Sequence, residues 1–536
     1  MESIKQKLVI IIMCVGSFLC MIDTTIMVVS LPKIETYMNV QLSKLSWALN
    51  LYTIIFAVFT ILLSRIAEIK GKNKIFILGL VIFTIGSCLS GSATNCNFLI
   101  VSRGIQGFGA AIIIPLSMTI AISLIDVEKR HKVIGVLGGV QGLGAAVGPV
   151  LGGSISQYLG WRWSFFVNVP FLIVMIICSF FVLNLKKEER IVAKLDIIGA
   201  FLSMVFLFSL TLGIIKGNDW GWTSDETVSL FVIAGIAFVV FIICEKKVSM
   251  PMINLNLFKN LEFNGAAIVF ILVNFFLVGV TVVIPTYLTK LQNTSEFTAA
   301  LLITPISLVI AFTIPIGSLY IKKISPKYFI FIGFISIGIG YYFLSRLNVS
   351  QNYNELIFID ILLGFGAGLL MAASNIAIAS DFRGELLTAS QSVANVLRQF
   401  GIILVVSIFL SVLTININNS KQKIIFYAKG QVMGLSIPNK EKTTIINGME
   451  EKFQGNNIQQ ASTPQVSTSS KEKVDANIQQ VQSMSNDVKI FAKNELKNSF
   501  LDLYKYTYPF VFVASLSFIM FAIVEKKKKV AKSNLK

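Results

Sequence analysis

The sequence predicts an all-α integral membrane protein with fourteen transmembrane helices. Three observations support this prediction: an apolar composition, fourteen apolar segments long enough to cross a bilayer, and an internal repeat. Of the 536 residues, 54% are hydrophobic and only 14% are charged, whereas about a quarter of the residues in a soluble domain are charged. A chain of this composition is expected in a lipid bilayer.

The apolar segments are close to or above the length of about 20 residues that a helix needs to cross the hydrocarbon core. They lie at 8–30, 45–63, 75–94, 98–124, 133–156, 164–185, 197–216, 227–244, 263–288, 297–320, 328–346, 355–379, 389–413 and 506–524. The first segment contains Asp23 and lacks a small-residue cleavage site, so we expect a retained span rather than a cleaved signal peptide. An even number of spans places both termini on the same side.

Basic residues outnumber acidic ones by 46 to 28, which gives a net charge of +18. Many of them cluster in alternate connections, at Arg65, Lys70, Lys72 and Lys74, at Lys129, Arg130 and Lys132, at Lys186, Lys187, Arg190 and Lys194, at Lys246 and Lys247, at Lys322, Lys323 and Lys327, and at Lys526 to Lys529. The short opposite connections carry few bases, and the long 414–505 segment does not count in this comparison because long loops translocate largely regardless of charge. The positive-inside rule therefore predicts that both termini are cytoplasmic. This distribution, without a zinc finger or a recognition helix, argues against nucleic acid as a partner.

The sequence offers little for a metal site, an energy-coupling nucleotide or an enzyme. His131 is the single histidine, and the six cysteines lie mostly within apolar segments without metal-ligand spacing, so we expect buried thiols and no metal. The Walker pattern is absent, which excludes ATP as an energy source in this chain. We see no nucleophile–base pair and expect neither an enzyme nor a cofactor.

A tetrapeptide, GFGA, occurs in two corresponding spans. Arg103 begins RGIQGFGAA in span four, and Asp360 begins DILLGFGAG in span twelve, so the two charged residues are equivalent. The connections at 64–74 and 317–327 match in the same way. Spans two and four thus correspond to spans ten and twelve. This predicts two six-helix halves, 1–190 and 251–536, joined by two linking helices in 191–250, a duplication typical of secondary transporters.

Residues 414–505 form a long insertion between spans thirteen and fourteen. Its centre, QGNNIQQASTPQVSTSSKEK, has the polar composition of a disordered segment. The stretch IIFYAKGQVMGLSI, in contrast, has the apolar pattern of a folded one. Two structures stay open, a disordered or partly helical loop and a folded cap over the outer vestibule.

Span five contains a glycine-dense stretch, GVLGGVQGLGAAVGPVLGG, at 135–153. Three of its glycines share one helical face at four-residue spacing, which lets a neighbouring helix approach to backbone distance. Its proline cannot donate a backbone N–H and should bend the helix. A membrane span packed against protein tolerates this composition, and we expect a pliable packing seam here. Its residues are Gly144, Gly148, Pro149, Gly152 and Gly153.

Five motifs resemble those of the major facilitator superfamily, in its fourteen-span drug:proton antiporter family. LSRIAEIKGKNK resembles the loop motif after span two, RGIQGFGAA the span-four motif, and GLGAAVGPVLGG the antiporter motif of span five. MIDTTIMVVSLPKI resembles the span-one signature, and WRWSFFVNVP the beginning of span six. The resemblance implies the major facilitator fold, with two six-helix bundles and two extra central helices. Ser64 and Glu68 depart from the loop motif, where the family has glycine and aspartate.

Four charged residues lie inside predicted spans, away from the span ends: Asp23, Arg103, Asp360 and Arg398. Such a charge costs about 2.5–3.5 kcal/mol at a helix centre on insertion scales, so each needs a role or a partner. The resemblance implies a proton-coupling role for Asp23 and Arg103. We expect Asp23, Asp360 and Arg398 to line the substrate cavity. A structural pair of Asp360 with Arg398 is the alternative.

The loop after span two is a candidate conformational latch on the cytoplasmic side. A carboxylate at a helix end can pair with basic groups in one conformation and separate from them in another. A solvated cluster that only sets topology is the alternative. The predicted latch residues are Glu68, Gly71, Lys72 and Lys74. The span-four residues expected to serve helix packing and cavity shape are Gln106, Gly107 and Gly109.

These features together predict a secondary active transporter in a bacterial cell membrane. By the resemblance, it exports lipophilic, often cationic compounds in exchange for protons by alternating access, with the proton gradient as its energy source. Its partners would be small molecules, protons and membrane lipid, and it would work as a monomer. One alternative is an exporter of an endogenous peptide, lipid or metabolite. Another is a membrane sensor that binds a ligand with the 414–505 segment.

Overall fold

The computed structural model describes residues 2–40, 42–186, 188, 190–191, 195–248, 250–321, 323–347, 353–379, 382–435, 442–443, 446–447 and 475–533. Within these ranges, fourteen helices are long and apolar enough to cross a membrane, as the hydropathy of the sequence predicts. The basic residues Lys187, Lys194 and Lys322 lie outside the described residues, as does the centre of the 414–505 insertion.

The helices are numbered α1 to α14 in the order of the spans. They comprise α1 Glu2–Met38, α2 Trp47–Lys70, α3 Lys72–Gly91, α4 Cys96–Ser123, α5 Arg130–Tyr158, α6 Asn168–Val182, α7 Ile197–Trp220, α8 Asp225–Lys247, α9 Leu261–Leu291, α10 Glu296–Tyr320, α11 Pro326–Leu344, α12 Asn354–Ala379, α13 Gly384–Met433 and α14 Asp475–Ala514, after which Phe518–Ser533 continues as helix. We call the side that carries both termini the terminal face and the opposite side the hairpin face.

Local chemistry explains where several helices begin. The Asn95 side chain accepts a hydrogen bond from the Phe98 amide at 2.9 Å and so caps the start of α4. Ser224 caps α8 in the same way. Between α2 and α3, Gly71 has a φ of +113°, a backbone conformation that residues with a Cβ rarely adopt. The α2–α3 turn on the terminal face therefore requires glycine.

The two halves of the chain repeat one packing pattern. Helix α4 packs against α1, α2 and α3, and α12 packs against α9, α10 and α11. A Cβ on Gly107 would lie 2.6 Å from the carbonyl oxygen of Tyr52 in α2, and a Cβ on Gly364 would lie 2.5 Å from that of Ile306 in α10. The GFGA repeat therefore marks equivalent helix crossings. The predicted fold, two six-helix bundles with two additional helices, is confirmed.

The two additional helices, α7 and α8, pack against each other, and α7 also contacts both halves. It lies against α2 of the first half and α13 of the second. On the α13 side, the Ser407 hydroxyl donates to the Ile214 carbonyl at 2.8 Å, and the Trp222 indole N–H donates to the Ser411 hydroxyl at 3.3 Å. The pair thus sits beside the boundary between the halves.

The described parts of the 414–505 insertion are helical. Helix α13 has 50 residues and α14 has 40, which correspond to about 75 and 60 Å at 1.5 Å per residue. Both exceed the hydrocarbon core of about 30 Å, so the ends of both helices project from the hairpin face. There they pack against each other, with Tyr427 and Phe491 stacked at 4.1 Å. Buried residues along this hairpin include Ile417, Ile424, Ala428, Met484, Val488, Ala492 and Leu496.

The hairpin rests on the second half of the chain. Phe500 of α14 contacts Tyr287 of α9, with ring centres 5.7 Å apart, and Tyr504 meets Tyr341 of α11 edge to face at 5.3 Å. These contacts anchor the hairpin at the side of one bundle. The described part of the insertion is therefore a folded projection from the C-terminal half.

Candidate functional site

A fully buried ion pair joins α1 to α4 in the first half. Arg103 donates from Nη1 to Asp23 Oδ2 at 2.6 Å, and both side chains are at most 1% exposed. Both residues lie in the hairpin-face half of their helices. A charged hydrogen bond of this length is short even for an arginine–carboxylate contact. The pair keeps both charges compensated at membrane depth.

Two amide side chains complete the coordination of Asp23. Gln106 donates from Nε2 to Asp23 Oδ1 at 2.7 Å, and its Oε1 accepts from Arg103 Nη1 at 2.6 Å. Asn168, at the start of α6, donates to Asp23 Oδ1 at 3.3 Å. Both carboxylate oxygens are therefore hydrogen-bonded. Four residues from three helices, which we call the Asp23 network, form one connected polar unit: Asp23, Arg103, Gln106 and Asn168.

An aromatic ring covers the guanidinium of this network. The Tyr52 ring centre lies 4.4 Å from Arg103 Cζ, within the range of a cation–π contact. The Tyr52 hydroxyl accepts a hydrogen bond from Thr24 at 3.4 Å. Among the described residues, Arg103 Nε and Nη2 have no hydrogen-bond partner. The carboxylate of Asp23 is consequently the main electrostatic partner of Arg103.

The glycines of α5 pack against two different helices. Gly144, Gly148 and Gly152 face α1, where a Cβ on Gly152 would lie 3.0 Å from Ile26 Cα. On another face, a Cβ on Gly142 would lie 3.1 Å from Ala311 Cα in α10. Helix α5 therefore contacts both the helix that carries Asp23 and the opposite half of the protein. Gly135, Gly139 and Gly153 also face α10, and Pro149 lies inside the continuous helix.

Asp360 lies inside the second half rather than at the boundary between the halves. Its side chain is 0% exposed, and among the described residues neither carboxylate oxygen has a hydrogen-bond partner. Its helix, α12, packs mainly within the second half. In this conformation the Asp360 side chain lies inside one bundle, as Arg103 does in the other half, and a place in the substrate cavity stays a prediction.

Arg398 does lie at the boundary between the halves. Its guanidinium donates to Gln141 Oε1 of α5 at 3.4 Å and to Met21 Sδ of α1 at 3.5 Å. Both acceptors belong to the first half, whereas Arg398 belongs to the second. In the described chain no ion pair joins Arg398 to Asp360, so the alternative of a structural pair is not supported. Arg398 is instead a contact across the boundary.

The terminal face is closed by polar contacts between the halves. Arg65 of α2 donates to Glu385 at the start of α13 at 2.6 Å and to Glu68 of its own helix at 3.1 Å. Arg130 of α5 donates to the Phe382 carbonyl at 2.6 Å. The buried Arg65, Glu68 and the Glu385 side chain surround a small void that Thr388 also lines. We call the Arg65–Glu385 pair and Glu68 the terminal latch.

The predicted latch residues differ in how they contribute to the contact between the halves. Lys72 lies 4.0 Å from Glu68 within the same half, and Gly71 forms the turn. Lys74 lies near Glu188 in the connection between α6 and α7. Glu188 accepts a hydrogen bond from the Asn73 amide at 3.1 Å. Burial raises the pKa of the Glu188 carboxyl, although the Asn73 hydrogen bond and the nearby Arg190 and Lys74 charges oppose this shift.

A comparison with protein families now decides the identity of the fold. Residues 13–406 match the family model described as Major Facilitator Superfamily. The chain belongs to the Major Facilitator Superfamily. The motif resemblance found in the sequence is therefore confirmed across most of the chain.

Named relatives agree with this assignment. The chain is similar to Multidrug resistance protein 3 of Bacillus subtilis (strain 168), with 30% identity over 77% of this chain and 80% of that protein. It is also similar to a riboflavin transporter of Clostridioides difficile (strain 630), with 28% identity over 70% of this chain and 82% of that protein. The chain is a multi-pass membrane transporter and not an enzyme. A sensor that does not transport is thereby disfavoured.

A solved structure supports the superfamily fold independently. The inward-facing, unoccupied structure of a bacterial homolog to the human lysosomal transporter Spinster matches with a TM-score of 0.54. The match covers 96% of this chain and 98% of that chain at 15% identity. At this identity the similarity concerns the fold alone.

Three residues of the site lie outside the roles expected from the superfamily motifs. Gln106 was expected to serve packing, yet it bonds both Asp23 and Arg103. Asn168 belongs to the WRWSFFVNVP motif without an assigned role, and Tyr52 belongs to no motif. The expected packing roles of Gly107 and Gly109 agree with their close contacts to α2 and α3. At the terminal face, Arg65 and Glu385 form the ion pair between the halves, and neither was among the predicted latch residues.

Neutralising either partner of the terminal latch should open the terminal face. In Arg65→Gln and in Glu385→Gln, we expect faster labelling of a single cysteine placed at Ala389, beside the void, by a membrane-impermeant thiol reagent added to the terminal face. The double variant should label no faster than the singles, because all three lack the same ion pair.

Lys72→Gln is the matched control for the latch, since among the described residues the ion pair of Lys72 lies within its own half. Its labelling rate should equal that of the parent protein. Additive effects of the Arg65 and Glu385 substitutions would show that the two residues act separately.

Proposed function

We propose that this transporter exports lipophilic small molecules, often cations, in exchange for protons. The chain would work as a monomer in the cytoplasmic membrane, with both termini cytoplasmic and with the proton gradient as its energy source and no cofactor. The clusters of basic residues on the terminal face favour this orientation by the positive-inside rule. The hairpin would then lie outside the cell.

The Asp23 network is the observation that carries the proposal. Asp23 and Arg103 compensate each other at 2.6 Å without exposure to solvent. Removing the charge of one partner in a buried ion pair costs about 3–5 kcal/mol. Protonation of Asp23 would therefore strongly disfavour the described arrangement and favour one in which Arg103 finds another partner or water. A proton moving down 100 mV supplies about 2.3 kcal/mol, a comparable amount.

Helix α5 provides a path from this network to the rest of the protein. It contacts α1, which carries Asp23, through Gly144, Gly148 and Gly152, and it contacts α10 of the other half on a second face. A displacement of α1 on protonation would therefore shift the boundary between the halves. The terminal latch would open as the hairpin face closes, as alternating access requires.

A cationic substrate suits an exchange mechanism. A proton and a cation would each neutralise Asp23, so binding of one disfavours binding of the other, and this negative coupling is what exchange needs. Asp23 is fully buried in the described conformation. Cation binding would thus use the other conformation, in which Asp23 faces the cavity and Arg398 lies across from it. Neutral lipophilic compounds would bind through the apolar surface alone.

Export of an endogenous product is a second candidate function. The relative from Clostridioides difficile is named a riboflavin transporter, so related chains are not confined to drugs. In this case the same proton exchange would operate, and drug export would be incidental. The two functions differ in the substrate and not in the mechanism.

Inverted membrane vesicles test the proposal. With an imposed pH gradient, acidic inside, vesicles that contain the chain should accumulate lipophilic cations, and an uncoupler should abolish the accumulation. A panel of one cationic, one neutral and one anionic lipophilic compound would establish the charge preference. Accumulation that is unaffected by collapse of the gradient would contradict proton exchange.

A further inference from the structure

Asp360 is the one of the two intramembrane acids that has no charged partner. It lies six residues from the start of α12 at the hairpin face, a depth of about 9 Å along the helix. Within the described ranges neither of its oxygens receives a hydrogen bond. Asp23, in contrast, has three hydrogen-bond donors, one of which is the Arg103 cation. A buried carboxylate ion without any partner is far less stable than a buried neutral acid.

One tyrosine interacts with Asp360, and a second tyrosine packs against the first. Tyr504 of α14 interacts electrostatically with Asp360, is 0% exposed and has a hydroxyl without a hydrogen-bond partner among the described residues. Tyr341 of α11 packs against Tyr504 and donates its own hydroxyl to the Phe276 carbonyl. Helices α5, α9, α10 and α13 also pack against α12. In the described chain they bring no charged side chain into an ion pair or hydrogen bond with Asp360.

A polar cleft lies on the hairpin face beside the same part of α14. The cleft has a volume of about 910 Å³ and lies between the end of α11 and the hairpin. Asp502 and Lys505, the neighbours of Tyr504 along α14, line it, as do Arg346 and Glu495. The same helix thus lines an open polar surface and carries the tyrosine that interacts with the buried acid.

We propose that Asp360 is a second proton-binding carboxyl of the transport cycle, loaded from the hairpin face. The inference rests on the proton exchange proposed above. In the loading step the Asp360 carboxylate takes a proton from a hydronium ion that reaches it from the hairpin face, and a water molecule is left. The described conformation is the loaded one, with a neutral carboxylic acid at Asp360.

This assignment fixes the charge that moves in one cycle. With Asp23 alone, exchange of one proton for one monovalent cation moves no net charge. With Asp360 as well, two protons move inward for each cation exported, and one net positive charge moves inward. For a neutral substrate the net charge falls from two to one when Asp360 is removed. In either case, loss of Asp360 lowers the charge per substrate by one.

Current measurements on a solid-supported membrane test this directly. Proteoliposomes with the full chain receive a jump in ethidium, a monovalent lipophilic cation, and both the current and the ethidium taken up are recorded. We expect the wild type to move one net positive charge per ethidium, in the direction opposite to that of the ethidium. Asp360→Asn should exchange ethidium for protons without net current. Its thermal unfolding temperature should equal that of the wild type, because a neutral amide replaces a neutral acid. Asp219→Asn, which alters an exposed acid, should behave as wild type.

Each other outcome decides against the proposal. An unchanged current per ethidium in Asp360→Asn would overturn it, and so would a wild type that exchanges one proton per ethidium without current. If Asp360→Asn does not fold, the wild-type proton count decides, since two protons per ethidium support the proposal and one overturns it. Ethidium transport without any proton movement would overturn both this inference and the proposed proton exchange.

Discussion

Asp23→Asn should abolish accumulation driven by a pH gradient while the protein remains in the membrane. The substitution removes the carboxylate that binds Arg103 at 2.6 Å and leaves a permanently neutral group in its place. The buried cation then lacks its partner, at a cost of about 3–5 kcal/mol, as in the protonated state of the wild type. Exchange of labelled for unlabelled substrate, which needs no net proton movement, should persist. Both activities can be measured in the same inverted vesicles.

Two further variants sharpen this prediction. Asp219→Asn makes the same chemical change at an exposed acid that pairs with Lys216 at 2.7 Å, and it should leave accumulation unchanged. Asp23→Glu keeps a proton-binding group and should retain part of the coupling. Normal gradient-driven accumulation by Asp23→Asn would remove Asp23 from the mechanism. Loss of both accumulation and exchange would indicate structural collapse instead.

Gly148→Leu should lower transport about tenfold or more. A Cβ at this position would overlap the Thr25 hydroxyl and lie 2.9 Å from Thr25 Cβ, so α5 and α1 must separate. Overpacking of this kind costs about 1–3 kcal/mol, and each 1.4 kcal/mol shifts a conformational equilibrium about tenfold. Initial rates of substrate uptake, normalised to the protein in the vesicles, measure the effect.

Gly235→Leu is the matched control, because Gly235 lies in membrane helix α8 and a Cβ there would meet nothing within 4 Å. This variant should transport as the wild type does. The loss of transport caused by a smaller change, Gly148→Ala, should be partly reversed by Thr25→Gly, which removes the colliding side chain. Wild-type transport by Gly148→Leu would contradict the close-packing role of this face of α5.

Hydropathy alone predicts the fourteen helices, because the bilayer imposes both a length and a composition on every span. The GFGA repeat goes further and predicts equivalent helix crossings in the two halves. Gly107 against Tyr52 and Gly364 against Ile306 confirm this equivalence. The repeat also makes Asp360 the counterpart of Arg103, and both side chains lie inside their bundles, whereas the sequence predicts a place for Asp360 at the cavity.

The sequence predicts contacts between charged and polar side chains less well. Gln106 lies three residues after Arg103, a spacing that places both on one face of a helix, so this contact could have been predicted. Asn168 meets Asp23 across 145 residues, and Glu385 meets Arg65 across 320. Such partners depend on how complete helices pack, which periodicity does not specify. The hairpin was likewise hidden, since its helices continue spans thirteen and fourteen with far more polar residues.

Proton movement on substrate addition tests the central claim, exchange at Asp23, most directly. Proteoliposomes that contain a pH indicator inside and carry no initial pH gradient receive an exported substrate on one side. In the wild type, substrate movement should drive protons in the opposite direction, in fixed proportion to the substrate. In Asp23→Asn, substrate should equilibrate without movement of a proton at this site. Substrate movement with the same proton countermovement in both proteins would contradict the account.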